Sequence, residues 1–248
     1  MLPEIRLPEI SCASIVLVGK FNMLEFLPKY LIENNVIQIK DLKDMDWNTY
    51  IPSQRLDFEF LWGQVIVTPT QLIVKAKATP YISTSDFIRS ALLCASDEVK
   101  VFAMGINLEG DFKLEYSYQR DNIGTKLVPP SAWGKWGEEV DMQLKKFPDP
   151  KKHGGMVSAT MRKHRVDEKG LYGFTDVHVK PSAVYLETGV YLSINDHYQM
   201  DEKIVTASEL AQGDFTDRKN ELMQLLDQNF DTSIASSRRI MGGILEKV

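Results

Sequence analysis

The chain has 248 residues, 44% hydrophobic and 25% charged, with 29 basic residues against 34 acidic ones and a net charge of −5. That composition suits one large globular domain or two closely packed halves with ample core material. The acidic balance gives no sign of a general affinity for nucleic acid or anionic membrane and leaves room for a local basic patch.

Residues 1–6 lack a basic region followed by an apolar run, and no stretch approaches the roughly 18 apolar residues of a membrane span. A cytoplasmic protein without a signal peptide is therefore expected. Residues 14–21 form a nearly continuous β-branched run bounded by Asn22, which predicts a buried strand. Leu24, Leu27, Leu31 and Ile32 then recur at helical spacing, and Asn34 and Asn35 end that helix. Residues 38–54 are polar, carry Pro52 and read as an irregular connection. Leu56, Phe58 and Phe60 alternate with polar neighbours, predicting a strand that continues to Val67 with a bulge at Gly63. Pro69 and Thr70 make a turn, and Leu72, Val74 and Ala76 form the returning strand. Ser83, Thr84, Ser85 and Asp86 offer caps for a helix through Cys94.

Residues 99–106 and 111–118 read as a hairpin turning at Glu109 and Gly110. Pro129 and Pro130 mark a boundary, after which Ser131 caps a helix to about Phe147. Pro148, Pro150, Gly154 and Gly155 break the chain again. Three strands follow, over 156–166, 174–179 and 183–195, with a turn at 167–170 between the first two. The tail is helical, with an apolar stripe at Leu222, Leu225, Leu226, Phe230, Ile234, Ile240, Ile244 and Leu245 that Asp231, Thr232 and Ser233 interrupt.

One ten-residue pattern occurs twice. Residues 65–74 (VIVTPTQLIV) and 177–186 (VHVKPSAVYL) each join a β-branched run to Pro, a hydroxyl residue and a second apolar alternation. Each copy reads as strand, tight turn, strand. The predicted class is α+β, in two related halves (residues 1–128 and 129–248). Each half is an antiparallel sheet with helices packed on one face, and a long helix closes the chain.

Signatures for dinucleotides, P-loop nucleotides, zincin metals and nucleophile-elbow hydrolases are all missing, so no cofactor is expected and an enzyme is not the leading expectation. Cys12 and Cys94 are too few for a thiolate zinc site and read as buried free thiols in a reducing compartment. All four histidines lie in the second half. A sheet that gathered His164, His178 and His197 with Asp176 or Asp196 would offer a metal site for a hydrolase or nuclease; the competing reading is solvated histidines on a polar sheet face. Lys145, Lys146, Lys151, Lys152, Arg162, Lys163 and Arg165 would form a phosphate or nucleic-acid patch if their segments stacked, and are otherwise solvated loop charges. Trp133 and Trp136, three apart on a short helix, either anchor the linker to the core or form a partner contact together with Arg238 and Arg239 of the tail.

The segments ASIVLVGKFN (13–22), GVYLSINDHY (189–198) and LMQLLDQNFDTSIASSRRI (222–240) resemble a sporadically distributed, uncharacterised bacterial protein family of about this length. The resemblance implies a bacterial, cytosolic α+β protein with two related halves, and the patchy distribution points to phage defence or other conflict systems. It brings no activity and no catalytic residues. The leading functional expectation is a non-enzymatic adaptor or assembly subunit that binds another protein, such as the product of a neighbouring gene, or a second copy of itself.

Overall fold

Successive side chains of a strand point to opposite faces of its sheet, so alternation of burial fixes which face meets the core. In β1 (Ile10–Lys20), Ala13, Ile15 and Leu17 are fully buried, whereas Cys12, Val16 and Val18 on the other face are only half-buried. The computed structural model describes residues 7–146, 155–166, 172–199 and 207–246. After β1 come a 3₁₀ turn (Met23–Phe26), α1 (Pro28–Glu33) and a second 3₁₀ turn (Ile39–Asp44). Next are β2 (Asp46–Ile51), β3 (Arg55–Phe60), β4 (Gly63–Val67), β5 (Gln71–Ala76), α2 (Ile82–Cys94) and β6 (Lys100–Lys113). Then follow α3 (Ser117–Leu127), α4 (Gly134–Lys146), β7 (Ala159–Val166), β8 (Tyr172–Pro181), β9 (Gly189–Gln199), α5 (Ala207–Gln212) and α6 (Lys219–Leu245).

The nine strands form one open antiparallel sheet in the order β2-β3-β4-β5-β1-β6-β9-β8-β7. Register carries the buried face across it: Phe58 pairs with Val65, Val65 with Val74, Val74 with Ile15, and Ile15 with Ile106. α2 packs over β5 and β1, α6 over β6 and β9, and the two helices touch. Side chains such as Phe58, Ile15, Ile88 and Met104 are fully buried between these layers, each worth about 1.5–3 kcal/mol relative to exposure. A ladder of rings (Trp47, Phe58, Phe60, Trp62 and Phe87), with neighbouring centroids 5.4–5.9 Å apart, ties β2 and β3 to α2. On the opposite face the buried Asp57 carboxylate accepts hydrogen bonds from Arg55, Asn48 and Gln64, linking β2, β3 and β4.

The mixed α+β class, the antiparallel sheet and the long final helix agree with the sequence reading, but the sheet is single. β6 of the first half pairs with β9 of the second along eleven residues of each. Asn34 and Asn35 do end the first helix, Asn35 with φ 58°. Residues 38–54 are not irregular, because they contain β2. The expected strand over 56–67 is a hairpin turning at Leu61 and Trp62, and Gly63 is needed because a Cβ there would lie 1.9 Å from the Lys75 carbonyl oxygen. No turn occurs at Glu109 and Gly110. β6 runs straight through, and Gly110 lets the Pro8 side chain approach to 2.9 Å of where a Cβ would be. Residues 117–127 are helical, and α6 is unbroken through Asp231, Thr232 and Ser233.

The two copies of the repeated motif also differ. Residues 65–74 turn tightly, with the Thr68 N–H bonded to Gln71 O at 2.8 Å. In 177–186 only the first half is strand. Ser182 Oγ accepts from the N–H groups of Val184 and Tyr185, and β9 begins only at Gly189. The predicted turn at 167–170 lies outside the described residues.

Candidate interaction surfaces and a polar cleft

On the sheet face away from α6, β7, β8 and β9 align His164, Phe174 and His197 in one register row. Phe174 stacks on His197 with centroids 4.4 Å apart and planes 18° from parallel, and Arg162 Cζ lies 3.7 Å from the Phe174 ring centroid. Arg162 is held there by two 2.7 Å bonds, from Nε and Nη2, to Asp176. Burial pushes the His197 pKa down. The Gln199 side chain opposes that shift, but the result remains below the ordinary imidazole value. His178 lies further along β8, with Nδ1 2.9 Å from Thr160 Oγ1.

This arrangement separates the candidate histidines from Asp196 and ties Asp176 to Arg162. The Phe174 ring stands between His164 and His197, and Asp196 shares a register row with Ile106 and so lies on the opposite, core-facing side. Among the described residues no group of three or more His, Cys, Asp or Glu side chains gathers as a metal site would require. His153 lies outside the described residues.

Asp196 instead joins Arg165, and two residues that the sequence placed in different patterns thereby meet on the α6 side. Arg165 Nη1 and Ser233 Oγ both donate to the Asp196 carboxylate, as do Thr175 Oγ1 at 3.1 Å and Tyr198 Oη at 2.8 Å. Burial would raise the Asp196 carboxyl. The hydrogen bond from Ser233, the bond and charge of Arg165 and the Tyr198 hydroxyl outweigh burial and hold the pKa below the ordinary carboxylate value. Burial, with the Asp196 charge beside it, lifts the Tyr198 phenol to about 12. These groups wall a cleft of about 490 Å³, closed on the helix side by Gln228, Thr232 and Ser236 among others. A carboxylate with its lone pairs already taken is a poor general base, so Asp196 and Ser233 do not constitute a nucleophile and its base. The cluster ties α6 to β8 and β9. Strand parity hinted at it, since Asp196 and Tyr198 are two apart, but nothing in the sequence indicates that Ser233 faces them.

Among the described cations of 145–165, Lys145, Arg162 and Arg165 are each paired with a carboxylate. Lys145 pairs with Asp141 at 2.7 Å, Lys146 closes α4, and Lys151 and Lys152 lie outside the described residues. Arg162 and Lys163 point to opposite faces of β7, and Arg165 is bound to Asp196.

Trp133 and Trp136 are exposed by 56% and 63%, with ring centroids 5.7 Å apart. Packing into the core, one of the two readings of this pair, is thereby ruled out. Pro130, Ala132 and Trp133 form a 3₁₀ turn folded against the start of α4. Gly137 permits this approach, since a Cβ there would lie 1.8 Å from the Pro130 carbonyl oxygen. The rings border a groove of about 240 Å³ whose other walls include Val128, Val140, Met156 and Val157. Arg238 and Arg239 are not at this groove. Arg238 lines a separate cavity beside Tyr81, and Arg239 is exposed.

No protein-family model matches the chain, and a search of curated proteins found no match either. Among the described residues, no helix is long and apolar enough to cross a membrane.

Proposed function

We propose that this chain is a non-enzymatic protein-binding adaptor or assembly subunit, and that the tryptophan pair is its main contact. The observation that carries this reading is the exposure of both indoles, side by side, on an apolar groove. Leaving two indoles in water forgoes the stabilisation that burying them would bring, and Trp is enriched among residues that dominate binding energy. The groove has room for one or two side chains rather than a whole helix. Lys135, Glu138 and Glu139 are exposed around Trp136, a set with net negative charge. The matching partner is therefore a segment of another protein that presents an apolar side chain flanked by Lys or Arg.

Native mass spectrometry of the full chain, co-expressed with the product of the adjacent gene, tests the proposal. A stable complex is expected, weakened roughly thirtyfold or more by Trp133→Ala with Trp136→Ala, as for truncated interface anchors. A monomer under every condition would overturn it. A homodimer abolished by the same substitutions would assign the groove to a second copy of the chain.

A further inference from the structure

We propose that the cavity beside Arg238 binds an amphipathic monocarboxylate, with Arg238 holding the carboxylate and Leu108, Phe112 and Met241 receiving the apolar body. The cavity, of about 290 Å³, lies between the second half of α6, the start of β1 and the turn at 79–81. It is separate from the tryptophan groove and independent of the adaptor reading.

Three features set the ligand class. The first is an uncommitted cation. Arg238 follows the buried Ile234 by one turn and precedes the buried Met241 by three residues, so it borders the apolar stripe of α6. Its guanidinium carbon lies 5.7 Å from the Tyr81 ring centroid. Among the described residues it makes no ion pair, whereas Arg162, Arg165 and Arg120 each have a carboxylate partner. A guanidinium fork with free donors, set against a ring and apolar side chains, matches a carboxylate in shape and charge.

The second feature is a spare hydroxyl proton. Ser11 Oγ and Tyr81 Oη, both lining the cavity, are hydrogen-bonded to each other. Two hydroxyls share one bond, so one proton remains to donate to a second carboxylate oxygen. The third is the apolar lining. Leu7, which is 68% exposed, and Pro8 line the cavity together with the buried Leu108, Phe112 and Met241, and none of them offers a polar side-chain group, which favours an alkyl or aryl body over a sugar or a free phosphate. The larger cleft around Asp196 offers no comparable opening, because its charges are spent on one another.

Isothermal titration of the full chain with octanoate, octan-1-ol and inorganic phosphate decides the matter. Saturable octanoate binding is expected, with the alcohol and phosphate each far weaker. Arg238→Gln should weaken octanoate by roughly ten- to hundredfold, the usual worth of charge-assisted hydrogen bonds, while leaving the circular dichroism spectrum and melting midpoint near those of the parent. Tyr81→Phe, which keeps the ring under the guanidinium, should weaken binding less. If Arg238→Gln does not fold, Arg238→Lys takes its place, retaining charge and stem but not the fork, and should still weaken octanoate. Absence of saturable octanoate binding, equal binding by the folded Arg238 variant, or tighter binding of phosphate than of octanoate would each overturn the proposal.

Discussion

Asp196 shows how one side chain commits a whole region. It is 9% exposed and receives bonds from Arg165, Thr175, Tyr198 and Ser233, which join β7, β8, β9 and α6. Asp196→Asn would keep the shape but remove the charge that balances Arg165. The expected loss is roughly 2–3 kcal/mol, less than the ~3–5 kcal/mol of a fully buried pair because the Arg165 side chain is 34% exposed. The pH dependence follows from the depressed folded-state pKa. The stabilisation is present above the ordinary carboxylate value, about 3.9, and is lost as pH falls through the lower folded value. Urea titrations at neutral pH and near pH 3 should find the parent weakened more by acid than the variant, which keeps the other depressed carboxylates such as Asp57; equal acid sensitivity would refute the assignment.

His197 behaves differently. Its folded pKa is also depressed, but for a base this means that the unfolded chain takes up its proton first. Stability should therefore fall as pH drops below about 6.5, and His197→Gln should flatten that part of the curve. Arg165, Asp196 and His197 all stood out in the sequence as chemistry-bearing residues. That Arg165 and Asp196 pair with each other, and that Ser233 joins them, did not, because partners are set by strand register and by which helix covers which face.

Elements were legible where local chemistry and tertiary need agreed. β1 follows from its β-branched run and β5 from apolar alternation, and Pro69 with Thr68 fixes the β4–β5 turn. α2 exists where expected, but it starts at Ile82 after Tyr81, without a side-chain cap, so Ser83, Thr84, Ser85 and Asp86 lie inside it instead of capping it. The β3–β4 hairpin was hidden because its turn is Leu61 and Trp62, with no Gly, Pro, Asn or Asp. β6 was misread because Gly110 resembles a turn residue while serving a close approach by Pro8. These two glycines make a paired test by thermal or chemical denaturation. Gly63→Ala puts a Cβ against the Lys75 backbone carbonyl and should cost roughly 1–3 kcal/mol, as overpacking does. Gly110→Ala meets the Pro8 and Phe112 side chains, which can shift, and should cost less. The reverse order would contradict the placement of both. α6 likewise lost its expected break because the Ser233 hydroxyl bonds to Asp196 instead of capping a new helix. Amide exchange should therefore show 231–237 protected as strongly as 222–230; a fast-exchanging gap at 231–233 would mean two helices.

At the scale of the molecule, the β6–β9 seam decides whether the halves are separable. In a fragment of residues 1–128, β6 would become an edge strand with eleven residues unpaired, and Met104, Ile106, Leu108 and Phe112 would lose the helix that covers them. A long apolar edge of that kind associates rather than stays in solution. The natural edges are guarded better. β7 carries Arg162, Lys163, His164 and Arg165, and β2 has a register shift between Trp47 and Thr49. Residues 129–248 alone would keep β7, β8 and β9 but leave α6 without β6 and α2 beneath it. Neither fragment should fold, and the full chain should unfold in one cooperative calorimetric transition whose calorimetric and van't Hoff enthalpies agree. Two resolved transitions, or a soluble 1–128 fragment with slowly exchanging amides in β6, would show instead that each half carries its own core and that the seam is only a docking contact between them.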